Sequence, residues 1–198
     1  AVLIPWAIPT VVSAQMWSWM FNDVFGIINV VLQSLGLIAQ PIAWTASPDT
    51  ALAAVIIVDV WKTTPFMALL LLAGLQMLPS ECYEAARVDG CHGWQLLRRI
   101  VVPLLQRSTQ FATTFATISA FQFFAPIFVM TKGGPQGATD VASFHVYETA
   151  FTFFDWGNAN AMSLVLVAFI VMVTGLELWL LRTQGGVILD PSRRLIGS

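Results

Sequence analysis

Apolar residues run along four stretches of the chain, separated by short polar intervals. Residues 1–21 carry no charge, and residues 51–78 enclose only Asp59 and Lys62. A third stretch, from about 100 to 131, is uncharged after Arg107, and a fourth, 156–181, has Glu177 near its end. A hydrocarbon core of about 30 Å needs roughly 20 helical residues, a length each stretch provides. In lipid a helix is the open-chain element that satisfies its own backbone, so the pattern predicts four spanning helices and an all-α, polytopic membrane fold. Two intervals, "FGIINVVLQSLGLIA" (25–39) and "VASFHVYETAF" (141–151), mix apolar and polar residues as short interfacial helices do. "KGGPQG" (132–137) predicts a turn.

Composition strengthens that class. The chain is 57% hydrophobic and only 10% charged, with eight Trp and fourteen Phe, far from soluble averages. A net charge of -2 without any Lys/Arg stripe excludes a nucleic-acid binder. The tryptophans at 6, 17, 19, 156 and 179 suit span ends and helix packing. Cys82 and Cys91 have no metal or redox spacing and predict reduced, structural thiols.

The basic residues set an orientation. Arg87, Arg98, Arg99 and Arg107 follow the second stretch, Arg182, Arg193 and Arg194 follow the fourth, and the other intervals hold only Lys132. The positive-inside rule then places 79–107, the 182–198 tail and the N-terminal end of this chain in the cytoplasm, with 22–50 and 132–155 outside. The chain opens inside an apolar run with no basic n-region and two prolines within nine residues, so it is expected to be the C-terminal part of a longer protein.

Against this background, "YEAARVDGCHGWQLLRRIVVPLL" (83–105) is a charged island, with five charges between Glu84 and Arg99. Pro79 stops the second span, Ser80 is a candidate N-cap, and Glu81 and Glu84 favour the opening turns of a helix over 81–88. Gly90 supplies a residue able to take positive φ, and a second helix is expected from Gly93 or Trp94 to Pro103. The result is an elbow. Ala85 and Ala86 give it a low profile for another protein's backbone, while Glu84 and Asp89 offer carboxylates to a basic partner. Such an elbow suits docking rather than catalysis.

These residues carry a resemblance. Glu84-Ala85-Ala86, three residues, Gly90, nine residues, Ile100, two residues and Pro103 is similar to the EAA loop of ABC importer permeases. "AGLQMLPSECYEAARVDG", "TKGGPQGATDVASFHVYETAF", "DWGNANAMS" and "LIPWAIPTVVSAQMWSWMF" resemble the sugar-uptake branch of that family, in order, over nearly the whole chain. Val102 departs from the common Leu, and Arg107 and Ser108 stand where a second proline often follows. The resemblance implies a permease domain over 1–198 lacking the first two of six core helices, an EAA coupling loop at 79–103 and a periplasmic loop at 132–155. It also implies a prokaryotic cytoplasmic-membrane setting, a second permease subunit, two copies of a cytoplasmic ATPase that hold ATP and Mg, and an extracytoplasmic sugar-binding protein that the 132–137 turn touches. This chain has no G-x-x-x-x-G-K-[ST] and is expected to need no cofactor and to catalyse nothing itself. The implied coupling residues are Glu84, Ala85, Ala86, Asp89 and Gly90. The plainer alternative pairs Glu84 with Arg87 or Arg98, a surface contact worth ~0–1 kcal/mol.

An intramembrane carboxylate is costly unless it faces protein or water, so Asp59 marks a candidate substrate pathway. "DVWKTTP" combines that acceptor with the Trp61 face, Lys62 and Thr63 beside a proline-weakened helix. In the maltose importer of this family, sugar-contacting positions align by motif near these four residues and near Ser119, Ala120 and Gln122. The identities differ at Lys62, Ser119 and Ala120, which leaves the sugar open. Asp59 and Lys62, three apart, can equally neutralise each other. His92 and His145 have no His or Cys at ligand spacing, and no metal site is expected. Asn158 and Asn160 beside Gly157 read as packing groups. Two other classes remain: an ion-coupled secondary transporter using Asp59, and an intramembrane hydrolase, for which the spans show no nucleophile–base set.

Overall fold

A computed structural model describes residues 3–88 and 90–185 of the 198. Every regular element among them is helical: α1 (Ile4–Ala7), α2 (Thr10–Met20), α3 (Ile27–Ser34), α4 (Pro48–Gln76), α5 (Ser80–Val88), α6 (Trp94–Leu96), α7 (Val102–Leu104), α8 (Gln106–Phe121), α9 (Ala125–Met130), α10 (Ala142–Phe151) and α11 (Trp156–Gly185). Three stretches are long and apolar enough to cross a membrane: Pro48–Gln76, Gln106–Met130 and Trp156–Leu181. At 1.5 Å per residue the first and last of these reach roughly 40 Å, while the middle one is α8, about 24 Å long, continued by α9 after a break at 122–124. They correspond to the second, third and fourth predicted spans.

The first predicted span is a correction. Residues 1–21 do not form one continuous helix among the described residues; α1 has four residues and α2 eleven. Eleven helical residues reach only about 16 Å. Pro9 is the cause, because it lacks an N–H and drives the residue before it out of the helical region, and Ile8 sits extended at ψ 134°. The third span begins at Gln106 rather than near 100, because the helical stretch before it is interrupted. A five-residue π-helical turn, Leu97–Val101, separates α6 from α7. The wider turn lies just ahead of Pro103, whose missing N–H leaves an α-helical ladder incomplete.

The chain forms two compact units, 1–66 with 120–166 and 67–119 with 167–198. In the first, α1 and α2 run antiparallel to α4, as the ring contacts show. Trp6 stacks on Phe66 at 5.7 Å, Trp17 meets Trp61 edge-on at 5.4 Å, and Phe21 packs with Ala54 and Val58. A second cluster gathers Val55, Ile127 and Phe144. Buried Asn29 satisfies its amide, donating to the Ile42 carbonyl at 2.9 Å and at 3.5 Å to the Asn22 carbonyl, while its Oδ1 accepts from Ile42 N (3.2 Å) and Trp44 Nε1 (2.9 Å). That network fixes the segment before α4. Both intervals expected to hold short helices do so, as α3 and α10. In the predicted turn Gly133 has φ +77°, and a Cβ there would lie 2.6 Å from Phe144 Cε1, so both backbone and packing demand glycine.

In the second unit α4 and α8 approach through small residues. A Cβ on Gly74 would overlap the Ser108 side chain, so Ser108 makes a close helix contact that only glycine admits. Glu177 on α11 accepts a long hydrogen bond from Thr114 Oγ1 at 3.4 Å.

Candidate functional site

The elbow forms as its sequence predicts. α5 starts at Ser80 with Glu81 in its first turn, Gly90 turns the chain at φ +77°, and Gly93 at φ +51° opens α6. Neither glycine has any atom within 4 Å of where a Cβ would stand, so conformation alone requires them. Glu84 is exposed, and no ion pair joins it to Arg98 among the described residues. The side chains of Ala85, Ala86 and Arg87, and all of Asp89, lie outside the described residues. Three apolar side chains that the sequence reading passed over stand out on this elbow: Val88 is 87% exposed, Met77 84% and Trp94 72%. The signal was available, since Val88 and Trp94 flank the turn glycines.

Asp59, Trp61, Lys62 and Thr63 share the part of α4 just ahead of Pro65, and all four are half-buried. The alternative in which Asp59 and Lys62 neutralise each other is not observed among the described residues. No ion pair joins them among the described residues, and Lys62 Nζ instead donates to the backbone carbonyl of Ile8 at 2.7 Å. The long stem of Lys62 lets its head group reach a neighbouring segment rather than its own helix. The Asp59 carboxylate accepts no hydrogen bond among the described residues, while Thr63 Oγ1 donates to the Asp59 carbonyl at 2.8 Å. That leaves the Thr63 oxygen free as an acceptor. Gln122 is exposed at the turn between α8 and α9 in the first unit, and Ser119 is half-buried on α8 in the second.

Two further polar groupings were not anticipated. Gln106, Thr109, Gln110 and Thr113 recur at helical spacing on α8 and line an open cavity of about 330 Å³ with Val102, Pro103 and Leu181. A polar stripe on a membrane helix faces protein or water rather than lipid. Outside the spans, Asp140, His145 and Glu148 bring potential ligand atoms within 4.8 Å of one another, and His145 Nδ1 lies 3.0 Å from Asp140 Oδ2. Spacing of His and Cys alone does not reveal this grouping, because Asp140 precedes α10 and only the turn before the helix brings it to His145 and Glu148. His145 and Asp140 are exposed, and their bond fastens the loop to the first turn of α10.

Helices of membrane length joined by a charged, protruding elbow place the chain among polytopic membrane proteins. It belongs to the family of binding-protein-dependent transport system inner membrane components, whose pattern matches residues 1–183. The trehalose/maltose transport system permease protein MalF of Thermococcus litoralis is 42% identical over 176 residues, covering 87% of this chain and 58% of that protein. The sulfoquinovosyl glycerol transport system permease protein SmoG of Agrobacterium fabrum is 38% identical, covering 93% and 59%. The trehalose transport system permease protein SugA of Mycobacterium tuberculosis is 33% identical, covering 87% and 54%. The chain therefore spans less than two thirds of the length of these relatives. Among solved structures, a bacterial ABC transporter that imports the acidic polysaccharide alginate superposes with a TM-score of 0.77 at 20% identity, covering 92% of this chain and 63% of the other. A bacterial alginate transporter in complex with an alginate pentasaccharide-bound periplasmic protein gives 0.78 at 20% identity, covering 93% and 64%. At that identity the likeness is one of fold.

Proposed function

We propose that this chain is part of a permease subunit of an ATP-driven, binding-protein-dependent importer, carrying a disaccharide such as trehalose or maltose, or a related glycoside, across a prokaryotic cytoplasmic membrane. The exposed elbow carries this reading: Glu84 beside bare Val88, Met77 and Trp94, hinged on two positive-φ glycines, is built to be gripped. The names of the relatives support the sugar class. The elbow seats in a groove of a cytoplasmic ATPase, where Glu84 meets a basic group and the apolar side chains fill the contact. ATP and Mg are held by two copies of that ATPase, and their closure moves the elbow and, through α4 and α8, the spans. A second permease completes the pathway, and an extracytoplasmic binding protein delivers the sugar against the 132–155 side. The elbow and the C-terminal end face the cytoplasm, as the positive-inside rule has it.

Within the membrane the sugar passes Asp59, Trp61, Thr63, Ser119 and Gln122. The Asp59 carboxylate, without a hydrogen-bond donor among the described residues, accepts sugar hydroxyls, and Trp61 offers a flat face. The α8 stripe from Gln106 to Thr113 offers donors and acceptors of its own that exchange readily with hydroxyl groups. Lys62 is left out of this set because its Nζ is already engaged. Uptake into vesicles holding the complete assembly tests the proposal with a panel of disaccharides and glycosides. ATP- and binding-protein-dependent uptake of one of them is the expected result. Uptake that follows an ion gradient without ATP would replace this reading with a secondary transporter working through Asp59.

A further inference from the structure

We propose that Lys62 is a positioning residue that holds the break between α1 and α2 in shape by donating from Nζ to the Ile8 carbonyl. The break creates the need for it. Ala7 N and Ile8 N close α1 onto Leu3 and Ile4, and Ser13 N opens α2 on Pro9, so no backbone N–H reaches the Ile8 carbonyl among the described residues. In an unbroken helix Val12 N–H would take it. In apolar surroundings a carbonyl without a donor is costly, and protein groups must supply one. Lys62 does so from 54 positions away, at 2.7 Å.

The contacts on either side make this bond more than a local repair. Phe66 of α4 stacks on Trp6 of α1 with planes 11° apart, and Trp61 of α4 meets Trp17 of α2 at 74°. One face of α4 thus grips both sides of the break, with Lys62 on the hinge itself. The two flanking contacts are apolar and tolerate sliding, whereas the hydrogen bond has a fixed length and direction. It sets the angle at which α1 leaves α2. A movement that reaches α4 is transmitted to both halves together while the bond holds. Without it, α1 and α2 respond separately.

The test is a double-mutant cycle between Lys62 and Pro9 in the full-length permease within its complete assembly in lipid. The transport readout rests on the importer reading, while thermal unfolding of the same complexes does not. Lys62→Met keeps the stem and removes the donor. It is expected to lower the maximal uptake rate about tenfold with half-saturation unchanged within about twofold, and to lower the unfolding midpoint by roughly 3 °C. Lys62→Arg, which retains donors, recovers most of both. Pro9→Ala restores an N–H and lets the helix run on, so that Val12 serves Ile8 and Lys62→Met then costs less than about twofold. A rise in half-saturation at an unchanged maximal rate would make Lys62 a sugar contact and overturn the proposal. So would a loss from Lys62→Met that is equal with and without Pro9→Ala. If Lys62→Met alone fails to assemble, assembly in the Pro9→Ala background supports the proposal and its failure there overturns it. If the wild type shows no ATP-dependent uptake, the cycle in unfolding midpoint still decides.

Discussion

The two units of the chain are held together in different ways. In the first, two side-chain networks close loops onto helices: Asn29 serves Ile42 and Trp44, and Thr139 donates to Gly134 while pairing with the Thr131 hydroxyl. A file of rings from Trp61 through Trp17 and Phe21 to Trp44 fills the space between helices. The second unit leaves its elbow open, with Glu84, Val88 and Trp94 turned to the outside. The loops of the first unit are tied by these networks, whereas the elbow of the second presents exposed side chains at its turn. Substitutions should therefore separate cleanly, costing stability in the first unit and coupling in the second.

The largest stability effect is expected at Asn29. Asn29→Ala strips the Ile42 N–H and the Trp44 indole N–H of their shared acceptor and should destabilise the protein by about 3 kcal/mol, read from the unfolding midpoint in detergent. Gly133→Ala forces a side chain into positive φ and onto Phe144, for a loss of about 2 kcal/mol by the same measurement. Trp94→Ser removes an exposed ring from the elbow. It should leave the midpoint within about 0.5 kcal/mol while lowering binding-protein-stimulated ATP hydrolysis about fivefold, and a stability loss matching that of Asn29→Ala would erase the distinction between the units. The smallest effect is expected at His145→Ala, which breaks the exposed bond to Asp140 for less than about 1 kcal/mol and leaves ATP hydrolysis intact.

What could be read from the sequence follows the same division. The spans carried by α4, α8 with α9, and α11 are long apolar runs, and hydropathy alone locates them because lipid imposes one answer on such runs. The elbow was legible for a different reason: proline, acidic residues and glycine fall where a helix must stop, start and turn. Residues 1–21 misled because apolar character was counted over a run that one proline divides, and hydropathy carries no record of a lost N–H. The alternative pairing of Asp59 with Lys62 fails for another reason. Spacing of three suggests a pair on an isolated helix, yet Lys62 finds a stronger claimant in a carbonyl orphaned by that same proline. The approaches of Ser108 to Gly74 and of Asp140 to His145 depend on how segments fold back, which local pattern does not encode.

The central claim is that the elbow couples this membrane chain to an ATPase through Glu84. The most direct test is ATP hydrolysis by the complete assembly in lipid, with sugar-loaded binding protein, in wild type and Glu84→Lys. Stimulation is expected to fall at least about tenfold in the variant, as reversing a charge at a contact does, while the unfolding midpoint stays within about 1 °C. Full stimulation in Glu84→Lys would contradict it, leaving Glu84 as a solvated surface charge.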